Sequence, residues 1–444
     1  MAEEIQLNVV LNQDLLPKGQ RDVAIIARLD IAATDAYRHQ HPSVPADICL
    51  LLDSSASMDE PFAPGDAHTK REGVIQSAKQ MLPHLGAGDT VSIIFYDSQA
   101  HLIAAQVPGQ RAGEIEQHLD TLHKYNGMTN FEAGLKMAQA VMAQGRNASR
   151  RIFFLTDGNA TEGSQTNTQT LIGQLALGGV TVDCLGVGAD FNFAAMRQLS
   201  APSNGTTEQL ESRDRAGRHF EQILVSAQRT IASNVFLTIV FAKGLRDLEV
   251  YQAAPETRFY PNCQPSSGGR FTLEIPVQSL RQDRRNIYLC KANLDLPSDA
   301  NQCPFAEVRL DYDLPPARLK AQRAALTIGV NCLDQAAYPL VDTSVDDMFA
   351  EAELAKFYEQ FIAIQSQDWG RAATILDEMI RRAHVLNDQA RLAHYRTLHA
   401  KLQKDHHLSN DDLNRFGSDS TTSTIAKKAA EIGSTTTNLQ DYTY

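Results

Sequence analysis

Between Ala46 and Ser212 short apolar runs alternate with amphipathic stretches, and this alternation constrains the fold more than any other feature of the chain. After Asp47 the run Ile48-Cys49-Leu50-Leu51-Leu52 is apolar without a break. That is the pattern of a strand covered on both faces; a strand with one wet face would alternate apolar and polar residues. Thr90 to Tyr96, His101 to Val107, Arg151 to Thr156, Val180 to Val187 and Thr206 to Leu210 read as further strands. Helices are expected over Lys70 to Leu82, Ala112 to Leu122, Phe131 to Ala143, Thr168 to Leu177 and Phe193 to Leu199. Strands and helices in alternation imply an α/β domain, a doubly wound and mostly parallel sheet with helices on both faces.

The flanks read differently. Val23, Ile25, Ala27, Leu29 and Ile31 carry the period of two of a half-buried strand, within a strand-rich stretch from Ile5 to Ile31. A helix is expected from Arg215 to Ile231. Strands then return at Val235 to Phe241, Phe271 to Val277, Asn286 to Leu294 and Ala306 to Tyr312. The α/β domain is therefore expected to be inserted in a β-sandwich-like domain, whose N-terminal strands pair with those after Val235; two separate β pieces are the alternative. Val345 to Leu402 reads as a helical hairpin of two or three helices, with Trp369 as its packing anchor. From Ser418 onward Ser and Thr dominate, with little to bury, so disorder is expected. The boundaries are 1–42 and 233–335 for the β-rich domain, 43–232 for the α/β domain, 343–405 for the helices and 406–444 for the tail.

A chain of 444 residues exceeds one core at about 150 residues per domain, which suits this division. The net charge of -12 disfavours a nucleic-acid partner, which calls for a basic face. Residues 1–13 lack the basic-then-apolar pattern of a secretory signal, and no apolar run approaches the roughly 20 residues of a membrane span. The six cysteines are scattered without a CxxC pair, which argues against zinc and for reduced thiols. A cytoplasmic protein without a membrane span is expected.

Three separated segments carry the chemistry: Asp53-Ser54-Ser55-Ala56-Ser57 after one apolar strand, Asn126-Gly127-Met128-Thr129-Asn130 before a helix, and Thr156-Asp157-Gly158 after another apolar strand. In an open parallel sheet, ligands bind at the carboxyl ends of the strands, where the first and third segments lie. A hard divalent cation takes oxygen ligands and keeps several waters. Hydroxyls of Ser55, Ser57 and Thr129 supply neutral oxygens, and Asp53 and Asp157 supply charge. Mostly neutral ligands leave the ion electrophilic, able to capture a carboxylate from a partner. In isolation each segment has a plainer reading. Asp and Ser favour turns, Thr129 reads as a helix cap, and Asp157-Gly158 reads as a turn.

Taken together, the segments resemble a von Willebrand factor type A domain of the bacterial intracellular kind. Its metal-ion-dependent adhesion site is built from Asp-x-Ser-x-Ser, a distant Thr and a distant Asp. Asp53, Ser55, Ser57, Thr129 and Asp157 match these five positions in the family's chain order. The resemblance implies Mg2+ (or Mn2+ or Ca2+) at the strand ends and a protein partner presenting an Asp or Glu. It implies a scaffold or regulatory component of an assembly rather than an enzyme. The rival reading is a Mg2+-dependent hydrolase. A phosphatase of the haloacid-dehalogenase type would need a second Asp where Ser55 stands, and no GxxxxGK[ST] loop is present. Thr421, Thr422, Ser423 and Thr424 are candidate sites for a Ser/Thr kinase and a phosphothreonine reader, set against an inert tail.

Overall fold

The computed structural model describes residues 4–422 except 41–43, 63–64, 159, 189–190, 211–212, 262–263, 266–269, 283 and 335–340. The α/β sheet has six strands in the order Ala100–Pro108, Thr90–Tyr96, Ala46–Asp53, Ser149–Thr156, Val180–Val187, Thr207–Leu210. Only Ala100–Pro108 runs antiparallel to its neighbour. Every residue of Ala46–Asp53 is buried, which explains its unbroken apolar text. Its side chains alternate between two cores. Ile48, Leu50 and Leu52 join Val74, Ile115 and Phe220 from helices Lys70–Met81, Ala112–Leu119 and Arg213–Gln228. Cys49 and Leu51 join Leu135, Ile172 and Met196 from Phe131–Met142, Gln165–Leu177 and Phe193–Ser200 on the other face.

The first strand of this domain is central. Later strands add first on one side and then, from Ser149, on the other. The order reverses between Ala46–Asp53 and Ser149–Thr156, so their carboxyl ends flank the crevice where such sheets bind ligands.

The β-rich part is a sandwich. One sheet runs Ile5–Leu11, Val23–Ala33, Asn286–Leu294, Arg246–Ala254, Arg258–Tyr260. The other runs Gln264–Pro265, Phe271–Arg281, Thr230–Phe241, Gln302–Leu314, Leu319–Leu333, Leu15–Pro17. Val23–Ala33 pairs with Asn286–Leu294, so the N-terminal strands close the same domain as those after Val235. Ile25, Ala27, Leu29 and Ile31 meet Val235, Leu237, Ile239 and Phe241 in its core. The helix expected to reach Ile231 stops at Gln228; Thr230 and β-branched Ile231 already belong to a sandwich strand.

Four helices follow: Thr343–Ile364, Trp369–Val385, Gln389–Asp405 and Asn410–Thr421. The last corrects the expected disorder for the start of the 406–444 tail; residues 423–444 lie outside the described residues. Ser409 and Asp412 form a capping box at its start, and Phe416 is fully buried with its ring edge-on to Tyr358, Phe361 and Tyr395. The partners that stabilise this polar-looking helix are remote in sequence. Thr421 is buried too: its hydroxyl donates to the Gly417 carbonyl at 2.8 Å and its own carbonyl accepts from Thr257 at 3.0 Å. A kinase could not reach it without unwinding the helix. Ser423 and Thr424 lie outside the described residues. Trp369 is also not the expected anchor. It is 44% exposed and stacks on His406, while Leu376, Met379, Tyr395 and Leu398 fill the helical core.

The helices share one apolar core with the α/β domain. Asn414 seals the joint, accepting from Phe193 N at 3.1 Å and donating to the Phe191 carbonyl at 2.6 Å. Lys356 pairs with Glu249 of the sandwich at 2.6 Å, and Arg258 of the sandwich donates to the Ala201 and Gly205 carbonyls of the α/β domain, both at 2.6 Å. Among the described residues no helix is long and apolar enough to cross a membrane.

Candidate metal-binding site

Two apolar strands deliver Asp53 and Asp157 side by side into the crevice, and both are buried. Asp53 Oδ1 accepts the Ser55 backbone N–H at 2.8 Å, and Oδ2 accepts the Thr156 hydroxyl at 2.9 Å. The Tyr96 hydroxyl stands 3.4 Å from the same oxygen and donates to the Leu155 carbonyl at 2.9 Å. Burial pushes the Asp53 carboxyl up to about 6; hydrogen bonds from Ser55 and Thr156 oppose the rise and the nearby Asp157 charge adds to it.

Above Asp53 the oxygens form a chain. Ser55 Oγ lies 3.2 Å from Ser57 Oγ, and Ser57 Oγ donates to Asp157 Oδ1 at 3.0 Å. The other Asp157 oxygen, Oδ2, accepts from Lys70 Nζ at 2.8 Å. Lys70 also donates to Glu60 Oε2 at 2.8 Å, and its side chain is only 4% exposed. Burial alone would lower its pKa, but the Asp157 and Glu60 carboxylates outweigh this and hold it above the usual lysine value. The ammonium is a fixed cation. Lys70 opens the helix Lys70–Met81 directly after Thr69, which caps it in a reciprocal box with Glu72.

The loop that carries Thr129 is pinned to both strand ends. Ala56 N donates to the Gly127 carbonyl at 3.1 Å and Asn130 N to the Asp97 carbonyl at 3.0 Å. A Cβ on Gly127 would stand 3.0 Å from the Asp97 Cβ, so the close approach favours glycine there. Thr129 N donates to Thr161 Oγ1 at 2.9 Å, and its carbonyl accepts from Thr161 and Glu162, just beyond Asp157. Thr129 is buried in the crevice wall. The helix cap is Asn130, whose side chain accepts from Ala133 N at 3.1 Å, so Thr129 is not spent on capping. Asp53, Ser55, Ser57 and Asp157 are joined directly through side-chain or adjacent backbone bonds, and Thr129 is joined to them through its loop.

The donor set fits a hard divalent cation. Adjacent oxygens around octahedral Mg2+, at about 2.1 Å from the ion, stand about 3 Å apart. Ser55 Oγ, Ser57 Oγ and Asp157 Oδ1 have that spacing. With Ser55, Ser57 and Thr129 beside Asp53 and Asp157, the set is rich in neutral hydroxyls.

The sequence assigns no role to Lys70, Tyr96 or Arg71. Arg71 ties the motif loop in place, donating to the Ser54 and Ser55 carbonyls and to those of Leu122 and Tyr125. Thr156 lay within the third segment but had no assigned role. These contacts join residues that are 10 to 103 positions apart, and no local spacing announces them.

A profile of the von Willebrand factor type A domain matches residues 48–159. A relative in Synechocystis sp. (strain ATCC 27184 / PCC 6803 / Kazusa), named "Uncharacterized protein sll0103", is 26% identical over 421 residues, covering 92% of this chain and 94% of its own length. Among solved structures, a von Willebrand factor type A protein from Catenulispora acidiphila aligns with a TM-score of 0.69 at 17% identity, over 88% of this chain and 89% of its own. The ArnB paralog VWA2 from Sulfolobus acidocaldarius aligns with a TM-score of 0.58 at 14% identity, over 96% of this chain and all of its own. Coverage this broad extends the likeness of fold to the sandwich and the helices as well as the α/β domain.

Proposed function

We propose that this chain, which carries a von Willebrand factor type A domain, is a metal-dependent binding module that takes a partner's carboxylate through a divalent cation at Asp53, Ser55, Ser57, Thr129 and Asp157. The observation that carries the reading is the spaced run of Ser55, Ser57 and Asp157 oxygens above the buried Asp53. A hydroxyl can turn from donating a hydrogen bond to presenting a lone pair, so this chain of bonds can reorganise around an ion. When bound, Mg2+ or Mn2+ would supply an electrophilic position for an incoming carboxylate. The protein's own residues would hold the ion, keep Asp53 dry beneath it and fix the loops.

The rim adds a preference. Met128, between Gly127 and Thr129, is half-exposed beside the crevice. A partner with an apolar residue next to its Asp or Glu would bury Met128 while its carboxylate reached the ion. Such a module fits a scaffold or regulatory role in an assembly.

Mn2+ binding to the full chain, followed by calorimetry, tests the metal part. One ion should bind the wild type, and Asp53→Ala should bind it at least about a hundredfold more weakly. Affinity capture with the same two proteins, with and without chelator, tests the partner. Proteins held only by the metal-loaded wild type support the reading, and a capture profile indifferent to both chelator and Asp53→Ala would overturn it.

A further inference from the structure

We propose that Lys70 sets which cation the site accepts, favouring a small octahedral ion such as Mg2+ or Mn2+ over Ca2+, by holding the outer oxygen of Asp157. The inference rests on the reading of this crevice as a cation site and goes further in assigning its selectivity to a residue outside the five-residue motif.

Carboxylate geometry separates the two kinds of ion. Ca2+ takes six to eight oxygens and commonly both oxygens of one carboxylate. Mg2+ takes six, at shorter distance, and keeps waters. Neither carboxylate here offers two open oxygens. Asp53 has one held by Ser55 N and the other by Thr156. Asp157 has one held by Ser57 and the other by Lys70. The serine hydroxyl can turn and become a ligand. An ammonium has no lone pair and cannot. Asp157 is therefore limited to presenting Oδ1.

The position of Lys70 is built. Its backbone N–H donates to the Glu60 carbonyl at 2.9 Å while its ammonium bridges Glu60 and Asp157. Its stem lies against Gly188, the residue at the end of Val180–Val187, where φ is +85° and an added Cβ would stand 2.8 Å from Lys70 Cε. Moving the ammonium off Asp157 would leave the carboxylate oxygen without its buried charge partner.

Calorimetric titration of the full chain with Mg2+, Mn2+ and Ca2+ tests this in wild type, Lys70→Met, Lys70→Arg and Gly188→Ala. Removing the positive charge should strengthen binding of every cation, so the ratio of affinities is the informative quantity. Lys70→Met, which removes both the charge and the N–H donors, should lower the Mg2+ to Ca2+ ratio about tenfold by freeing Asp157 to bind with both oxygens. Lys70→Arg, which keeps a cation on Oδ2, should preserve it. Gly188→Ala crowds the stem and strains the backbone at φ +85° without removing the charge. Once folded it should move the ratio the same way as Lys70→Met, which keeps the test alive if Lys70→Met does not fold. An unchanged ratio in folded Lys70→Met, or in folded Gly188→Ala where Lys70→Met does not fold, with metal still bound by the wild type, overturns the inference alone. A wild type that binds none of the three ions overturns the site reading with it.

Discussion

The strand Ala46–Asp53 has a buried aspartate near each end, and the two are in different chemical company. Asp47 accepts the backbone N–H of Asn147 at 2.9 Å, the Asn147 amide at 2.8 Å and the Thr90 hydroxyl at 2.8 Å. Nearby, Asp89 accepts Ala46 N at 2.7 Å, Gly86 N at 2.6 Å and the Gln228 amide at 2.7 Å. These partners are mostly N–H groups, which donate and do nothing else. At the other end Asp53 and Asp157 each keep one N–H partner, Ser55 N and Lys70 Nζ, and otherwise face the hydroxyls of Thr156, Ser55 and Ser57, which can donate to a carboxylate or turn to a cation. The same residue type is a latch where N–H donors occupy both its oxygens and a candidate ligand where a hydroxyl holds one of them.

The largest effect separates the two ends. Asp53→Ala should cost at least about a hundredfold in Mn2+ affinity, since even groups outside the ligand shell are commonly worth ~10–100-fold. Asp47→Ala should leave Mn2+ affinity nearly unchanged. It should instead lower stability in urea unfolding by about 2 kcal/mol, because it strands the donors of three partly buried bonds. Loss of metal binding in Asp47→Ala would break the comparison.

Thr156→Val sharpens the site end. It keeps the shape and removes the hydroxyl that holds Asp53 Oδ2. Mn2+ affinity should fall about tenfold, as for an outer partner of a ligand. Gly145→Ala sharpens the latch end. The added Cβ would stand 2.6 Å from Asp47 Oδ2, so thermal or urea unfolding should show a loss of about 1–2 kcal/mol as the close contact is relieved. Its Mn2+ titration should overlay that of the wild type.

The sequence made some of this legible and hid the rest for physical reasons. Ala46–Asp53 was readable because burial on both faces leaves an unbroken apolar run, and Val23–Ala33 because one buried face imposes a period of two. The two strand-end segments were readable because parallel topology places them at one edge of the sheet. Lys70 was not: its partner Asp157 lies 87 residues away, and at its own position it is an ordinary first residue of a helix. Asn410–Thr421 was hidden because its composition is that of a solvated tail and one phenylalanine, Phe416, supplies its main anchor in a core assembled from distant helices. Trp369 misled in the opposite sense. A large aromatic at a helical turn suggests packing, yet its position at the first residue of Trp369–Val385 points it outward, onto His406.

The most direct test of the central claim is a crystal structure of the full chain grown with Mn2+, with anomalous diffraction used to locate the ion. The account predicts one peak in the crevice between the ends of Ala46–Asp53 and Ser149–Thr156, within ligand distance of the Ser55 and Ser57 hydroxyls, with Lys70 still on the outer oxygen of Asp157. A crevice without a peak at saturating Mn2+, or an ion held elsewhere in the molecule alone, would contradict it.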